Sequence, residues 1–265
     1  MKWLSVILAL LALLAPACAQ QASEAAAAEQ ELFRAINQDR KQQGLAALEW
    51  NEWLARAARK HAEEMARRRQ LSHQFPGESS MLDRIAATSL HFDASAENVA
   101  YGPTAAEIND GWMHSPGHRA NILDAKYNAV GVAIVRNGDE LYAVADFAHS
   151  VPTLSASDVE DAVATAINQI RLQRRLPALP RRQDPELRRY ACQMAKNNRV
   201  NADALLGRSG VSASMAFTDS DPANSGSHLR NIANVATSTA FAVGACFARS
   251  ATYVEGTNWV VVVFY

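Results

Sequence analysis

The chain has 265 residues, 49% of them hydrophobic and 20% charged, and a formal net charge of −1 from 26 basic and 27 acidic side chains. That composition excludes a disordered chain and leaves room for two domains with sizeable cores. The charge balance excludes the electrostatic footprint of a nucleic-acid binder or of a protein that adsorbs to an anionic membrane surface.

The first residues have the pattern of an export signal over positions 1–19. Lys2 is a short positive region, Leu4 to Leu14 an apolar run, and Ala17-Cys18-Ala19 a small-residue cleavage site before Gln20. The apolar run is too short to span a bilayer, so no transmembrane helix is expected in the mature chain. Cys18 supports a second reading, a lipoprotein anchored through that cysteine. Both readings place the mature protein outside the cytoplasm, secreted, periplasmic or held at the cell envelope. In such a compartment Cys192 and Cys246 form an even pair that can close a disulfide. Two buried thiols are the equal alternative.

Residues 20–28, rich in Gln, Ala, Ser and Glu, read as a solvated tether. From Glu31 to Gln43, Leu32, Ala35 and Ile36 recur at helical spacing, and Gly44 ends that helix. Leu45, Leu48 and Trp50 follow as an apolar connection. Leu54, Ala58, His61 and Met65 share one face of a second helix, which makes His61 a core histidine. A Gly- and Pro-containing region runs from Ser72 to Ser95. Glu107 to Met113 reads as a further helix after Pro103-Thr104. Gly131–Arg136 and Leu141–Phe147 read as strands joined at an Asn137-Gly138 hairpin turn. Helices followed by a late hairpin give an α/β sandwich with antiparallel strands.

After a Ser-, Thr- and Pro-containing linker at 150–157 the pattern starts again. Ala166-Ile167-Asn168-Gln169-Ile170-Arg171 repeats Ala35-Ile36-Asn37-Gln38-Asp39-Arg40 at an offset of 131, and Leu176 and Leu179 repeat Leu45 and Leu48. Leu187 and Ala191 repeat Leu54 and Ala58 at 133. His228-Leu229-Arg230-Asn231-Ile232 resembles His118-Arg119-Ala120-Asn121-Ile122 at 110, and Ala242-Val243-Gly244 repeats Ala129-Val130-Gly131 at 113. Two copies of one domain are expected, at 29–149 and 158–265. The fall in offset from 133 to 110 removes a net 23 residues from the second copy. In the first copy that interval carries His73, Glu97, Trp112 and His114, so the second copy should lack the site.

His73, Glu97 and His118 are the chemistry-bearing residues of the first half. Neutral imidazole suits zinc and similar metals, and a carboxylate can serve as a further ligand or proton acceptor. A buried hydrogen-bonded network that holds loops in place accounts for the same residues equally well. Neither a His-Glu-x-x-His helix, a CxxC pair, a phosphate-binding Gly loop nor a Gly-x-Ser-x-Gly elbow is present. His114 and His118 are separated by Pro116-Gly117, which breaks a continuous helix. Pro116 opens a new turn there with Ser115 as its cap, and Asn121 is placed to bond nearby backbone.

Leu71-Ser72-His73, Glu97-Asn98-Val99-Ala100, Gly111-Trp112-Met113 and Ser115-Pro116-Gly117-His118-Arg119-Ala120-Asn121-Ile122-Leu123, with Ala35-Ile36-Asn37 through Arg40, resemble the secreted bacterial branch of the CAP superfamily (cysteine-rich secretory proteins, antigen 5, pathogenesis-related proteins of class one). The resemblance covers about Glu29 to Phe147. It implies an α+β fold, a three-layer α-β-α sandwich with an antiparallel sheet, here present twice with the second copy shortened. It also implies a central cleft with two histidines, His73 and His118, and one acid, Glu97, able to bind Zn2+ or another divalent metal. The family's second acid falls at Ser115, with His114 beside it as a polar cleft group.

Three functions follow as expectations. The first is a binding or interaction module for a metal and a small-molecule, lipid or peptide ligand, working as a monomer. The second is a secreted hydrolase in which Glu97, His118 and His73 would be catalytic. The third is a purely structural envelope protein. A fold does not carry a function with it, so the choice rests on the site.

Overall fold

A computed structural model describes residues 2–222, 225–229 and 237–265. The repeat segment's Arg230, Asn231 and Ile232 lie outside the described residues. The chain forms two compact units: one runs to Leu90 and resumes over Ala94–Ser150, the other comprises His91–Asp93 and Val151–Tyr265.

In the first unit, α1 (Lys2–Gln42) and β1 (Glu49–Trp50) precede α2 (Glu52–Arg68) and α3 (Met81–Ala86). Then come β2 (Phe92–Gly102), α4 (Ala105–His114), α5 (Pro116–Leu123), β3 (Ala129–Asn137) and β4 (Glu140–Ser150). The helix α1 continues through 20–28, which corrects the tether expected there. Ala25 to Ala28 are the strongest helix formers, and they carry the helix without a break into the packed segment that follows.

The sheet order is β1-β3-β4-β2. β3 and β4 are antiparallel from Ala129↔Ala148 to Asn137↔Glu140, and Gly138 supplies φ +65° at the turn. β1 runs parallel to β3, so the sheet is mixed rather than antiparallel as expected. Two paired residues sufficed for that addition, too short a signal to give an orientation in the sequence.

Alternation along β3 and β4 sends side chains to both faces. Val130, Val132, Ile134, Ala143, Ala145 and Phe147 pack with Leu32 and Ile36 of α1 and with Ile108, Trp112 and Ile122 of α4 and α5. Ala133, Tyr142 and Val144 pack with Ala58, Ala62 and Met65 of α2. Gly131 is required by the second contact: a Cβ there would stand 2.0 Å from the Ala55 backbone nitrogen. Asn37 ties α1 to the apolar connection, donating to the Leu48 carbonyl at 3.1 Å and accepting from its N–H at 2.7 Å. Arg40, fully buried, donates from Nε to the Ala46 carbonyl and from Nη1 to the carbonyls of Ile122 and Asp124. It thereby fixes the end of α5 from the far side.

The second unit has α6 (Ala156–Gln173), α7 (Pro185–Lys196), a short 3₁₀ turn (Asp203–Gly207) and strands β5 (Ala213–Asp219), β6 (Phe241–Ala248) and β7 (Thr257–Phe264). Its sheet is antiparallel in the order β5-β7-β6. The helix α6 starts inside the stretch read as linker, because Ser155 and Asp158 close a capping box around its first turn. Asn168 bonds both the N–H and the carbonyl of Leu179, and Arg171 Nε donates to the Pro177 carbonyl. Gly244 lies so close to α7 that a Cβ would be 2.3 Å from the Leu187 carbonyl carbon. Cys192 of α7 and Cys246 of β6 are joined in a disulfide.

Candidate functional site

Glu97 lies in β2 with its side chain 4% exposed. Buried carboxylates need donors, and two side chains supply them. His73 Nδ1, on the loop between α2 and α3, lies 2.9 Å from Oε1. Arg84 of α3, itself 3% exposed, donates to Oε2 through Nη2. Arg84 also donates through Nη1 to the Ser79 carbonyl at 2.9 Å, which holds the loop to its own helix. The His73 side chain is 62% exposed, so this ring joins a buried charge network to solvent.

Asn98 and Asn121 bring α5 to the same point. Asn98 Nδ2 donates to the His118 carbonyl at 3.0 Å, and Asn121 Nδ2 donates to Asn98 Oδ1 at 2.9 Å and to the Glu97 carbonyl at 3.3 Å. Trp112, buried beneath, donates from its indole to the Val99 carbonyl and has its rings 6.4 Å from the His118 ring. Each of these bonds joins β2 to the segment 112–121.

Residues 33–147 match the model of the cysteine-rich secretory protein family, CAP. This segment is a CAP domain. Protein YkwD of Bacillus subtilis (strain 168) is 32% identical over 117 residues, 44% of this chain and 46% of YkwD. Membrane protein YlbC of the same organism is 35% identical over 112 residues, 41% of this chain and 32% of YlbC. The chain thus spans less than half the length of these curated relatives. Among solved structures, an extracellular protein containing a SCP domain from Bacillus anthracis is similar with 25% identity and a TM-score of 0.43, over 46% of this chain and 40% of that one.

The electrostatics of the CAP domain follow from this packing. The hydrogen bond to Glu97, helped by its charge, raises the His73 titration above the usual imidazole value against the opposing effect of burial. Burial lowers that of His118, and the His73 charge lowers it further, which places the two rings within electrostatic reach. Asp146 of β4 is wholly buried beside Glu97, and no donor among the described residues reaches either of its oxygens. Burial first, then the Glu97 charge, push its titration far up, against the opposing effect of Arg84.

The other expected site residues lie apart from this network. His114, 79% exposed, turns Nδ1 to the Asp110 carbonyl at 2.8 Å on its own helix, and no described contact links it to Glu97. Ser115 stands at the start of α5, but its hydroxyl makes no capping bond; Pro116 at the first helical position already lacks an N–H to cap. Sequence reasoning missed Arg84 and Asp146. A charged residue in a short helix and an acid in an apolar strand (Val144-Ala145-Asp146-Phe147) are the only signals, and the second is the stronger.

Among the described residues no cluster of three His, Cys, Asp or Glu side chains is arranged for a metal. Both Glu97 oxygens have partners, His73 at Oε1 and Arg84 at Oε2.

Proposed function

We propose that the CAP domain is a capture module working outside the cytoplasm, whose cleft at His73 and His118 takes up a divalent metal such as Zn2+ and, through it, a small or peptide ligand. The observation that carries this reading is the Glu97–His73 bond. A carboxylate bonded to Nδ1 leaves Nε2 as the exposed, lone-pair-bearing atom of a ring held in place, which is how metal-binding imidazoles are oriented. Neutral His118 supplies the second nitrogen, and the remaining coordination positions are left for water or ligand. Such a site is weak and exchangeable. When bound, the metal would supply a Lewis acid; the protein holds the two imidazoles.

The hydrolase reading finds less support. Each Glu97 oxygen is already engaged, by His73 and by Arg84, and the Ser72 hydroxyl donates to the Gln74 carbonyl at 2.7 Å. The second unit is, in this proposal, a shortened copy of the CAP domain that lost the cleft. Its support is the reuse of three devices at matching positions: Asn37 and Asn168 on the following Leu, Arg40 and Arg171 on the following turn, and Gly131 and Gly244 against the second helix.

The test is calorimetric titration of the full chain with zinc beside His73→Ala/His118→Ala. One saturable site, absent from the double variant, is expected. No binding to the wild type, or equal binding to the variant, overturns the metal reading.

A further inference from the structure

The helix α2 sets Lys60, Glu64 and Arg68 four residues apart, so the three side chains form one stripe. That stripe, with Glu78, Ser79 and Arg84, lines a cavity of about 330 Å³. The volume falls at the lower end of the range in which proteins hold small molecules. Both acids of the lining already have partners. Glu64 accepts from Arg67 and Arg68. Glu78 accepts from the Phe75 N–H at 3.0 Å and lies 2.7 Å from His61 Nδ1. The donors are not matched in the same way. Among the described residues no partner reaches the Lys60 ammonium or the Ser79 hydroxyl. Arg84, 3% exposed, gives Nη1 to the Ser79 carbonyl and Nη2 to Glu97, and its Nε–H finds no acceptor. Buried donors are nearly always satisfied, so an orphan on a guanidinium needs a reason.

We propose that this cavity is a binding site for a small oxyanion, the carboxylate or phosphate group of a small molecule, held by Lys60, Ser79 and the Arg84 guanidinium. Carboxylate and phosphate share the chemistry these donors select, oxygens that accept charge-assisted hydrogen bonds from ammonium and guanidinium groups. Three cationic side chains line the cavity against two acids, and both acids are engaged within the protein. A cation would meet that excess of positive charge with no free carboxylate to receive it. A neutral ligand would leave the Lys60 charge unanswered. An oxyanion supplies the acceptors that Lys60 and Arg84 lack. Arg84 also holds Glu97, so one guanidinium serves both this cavity and the His73–Glu97 network. The oxyanion site is separate from the metal proposed at His73 and His118 and does not rest on it.

The experiment is NMR of the metal-free full chain, read at the arginine Nε–H signals. Inorganic phosphate and, separately, sodium acetate are titrated in, with sodium chloride at equal ionic strength as the control. Expected is an Arg84 Nε–H signal that shifts saturably with at least one of the two oxyanions and stays in place with chloride. Tighter binding of phosphate assigns a phosphate ligand, and tighter binding of acetate a carboxylate one. Lys60 is exposed on α2, and alanine is the best helix former, so Lys60→Ala should fold as the wild type does. It should bind about tenfold more weakly, the loss expected for one hydrogen bond from a charged group. An Arg84 signal that moves with neither oxyanion, or moves equally with chloride, overturns the site. So does an unchanged affinity in Lys60→Ala. Zinc is absent throughout, so failure of the metal reading leaves this outcome untouched.

Discussion

His73 Nδ1 and Glu97 Oε1 are 2.9 Å apart, which ties an exposed ring on a loop to a carboxylate buried in the sheet. The bond favours the protonated ring, so the folded titration of His73 lies above the unfolded one. A group raised in this way adds stability that is fully present below the unfolded value and is lost as pH rises through the folded one. In metal-free buffer, His73→Ala should therefore lower the melting temperature most in mild acid, and the gap to wild type should close on the alkaline side. Melting curves of both proteins against pH check this. The gap will be small, since the ring is mostly in solvent.

The Arg84–Glu97 pair is buried on both sides. Removing one partner of such a pair leaves an uncompensated charge, at a cost of about 3–5 kcal/mol. Arg84→Leu should lose about that much in denaturant melts, more than Arg67→Ala, whose pair with Glu64 sits at the surface. The same substitution removes a positive charge that holds the His73 titration down, so that titration should rise.

Asp146 runs in the opposite sense to most carboxyls. Its folded titration is raised, so the folded state binds a proton that the unfolded state releases above about pH 4. Holding that proton therefore costs stability increasingly as pH rises above that value. Asp146→Asn keeps the shape and removes the titration, so it should be more stable than wild type at neutral pH. The advantage should vanish below about pH 4. Chemical denaturation at the two pH values measures it.

Gly131 and Gly244 each face the backbone of a helix at distances no Cβ can share. Alanine at either position must push helix and sheet apart, and about 3 kcal/mol, the upper end for overpacking, is expected. Gly117, with nothing near its missing Cβ, is the control, and Gly117→Ala should leave the melting temperature almost unchanged.

The Cys192–Cys246 bridge closes a separation of 54 residues inside the second unit. Removing it by Cys192→Ala/Cys246→Ala should destabilise that unit by about 2–5 kcal/mol. Tryptophan fluorescence distinguishes the units, because Trp259 is the sole tryptophan after residue 150. The metal titration of the first unit should be unaffected.

The periodic parts of the fold were legible in the residues. Leu32 and Ile36, Leu54 to Met65, and the Asn137-Gly138 turn each carry a local signal that tertiary packing reinforces. Residues 20–28 were misread because their polar composition was weighed above the alanines, and β1 was invisible because two residues have no period. His73, Glu97 and His118 were named from the sequence motifs, and their neighbourhood came from the fold. His114, one turn from His118 in the chain, went elsewhere because Pro116 starts a new helix between them.

Side-chain chemistry and local spacing determined which elements form, where they end and which residues could bear a site. Only the tertiary structure decided who meets whom. Arg84 pairs with Glu97, Asp146 lies buried beside it, and His61 comes within hydrogen-bond distance of both Glu78 and the Ser72 carbonyl. The physical reason is that a charge or hydrogen bond acts over a few ångströms, while these partners are separated by up to dozens of residues. Nothing in the local sequence records that distance until α2, α3 and the sheet are packed.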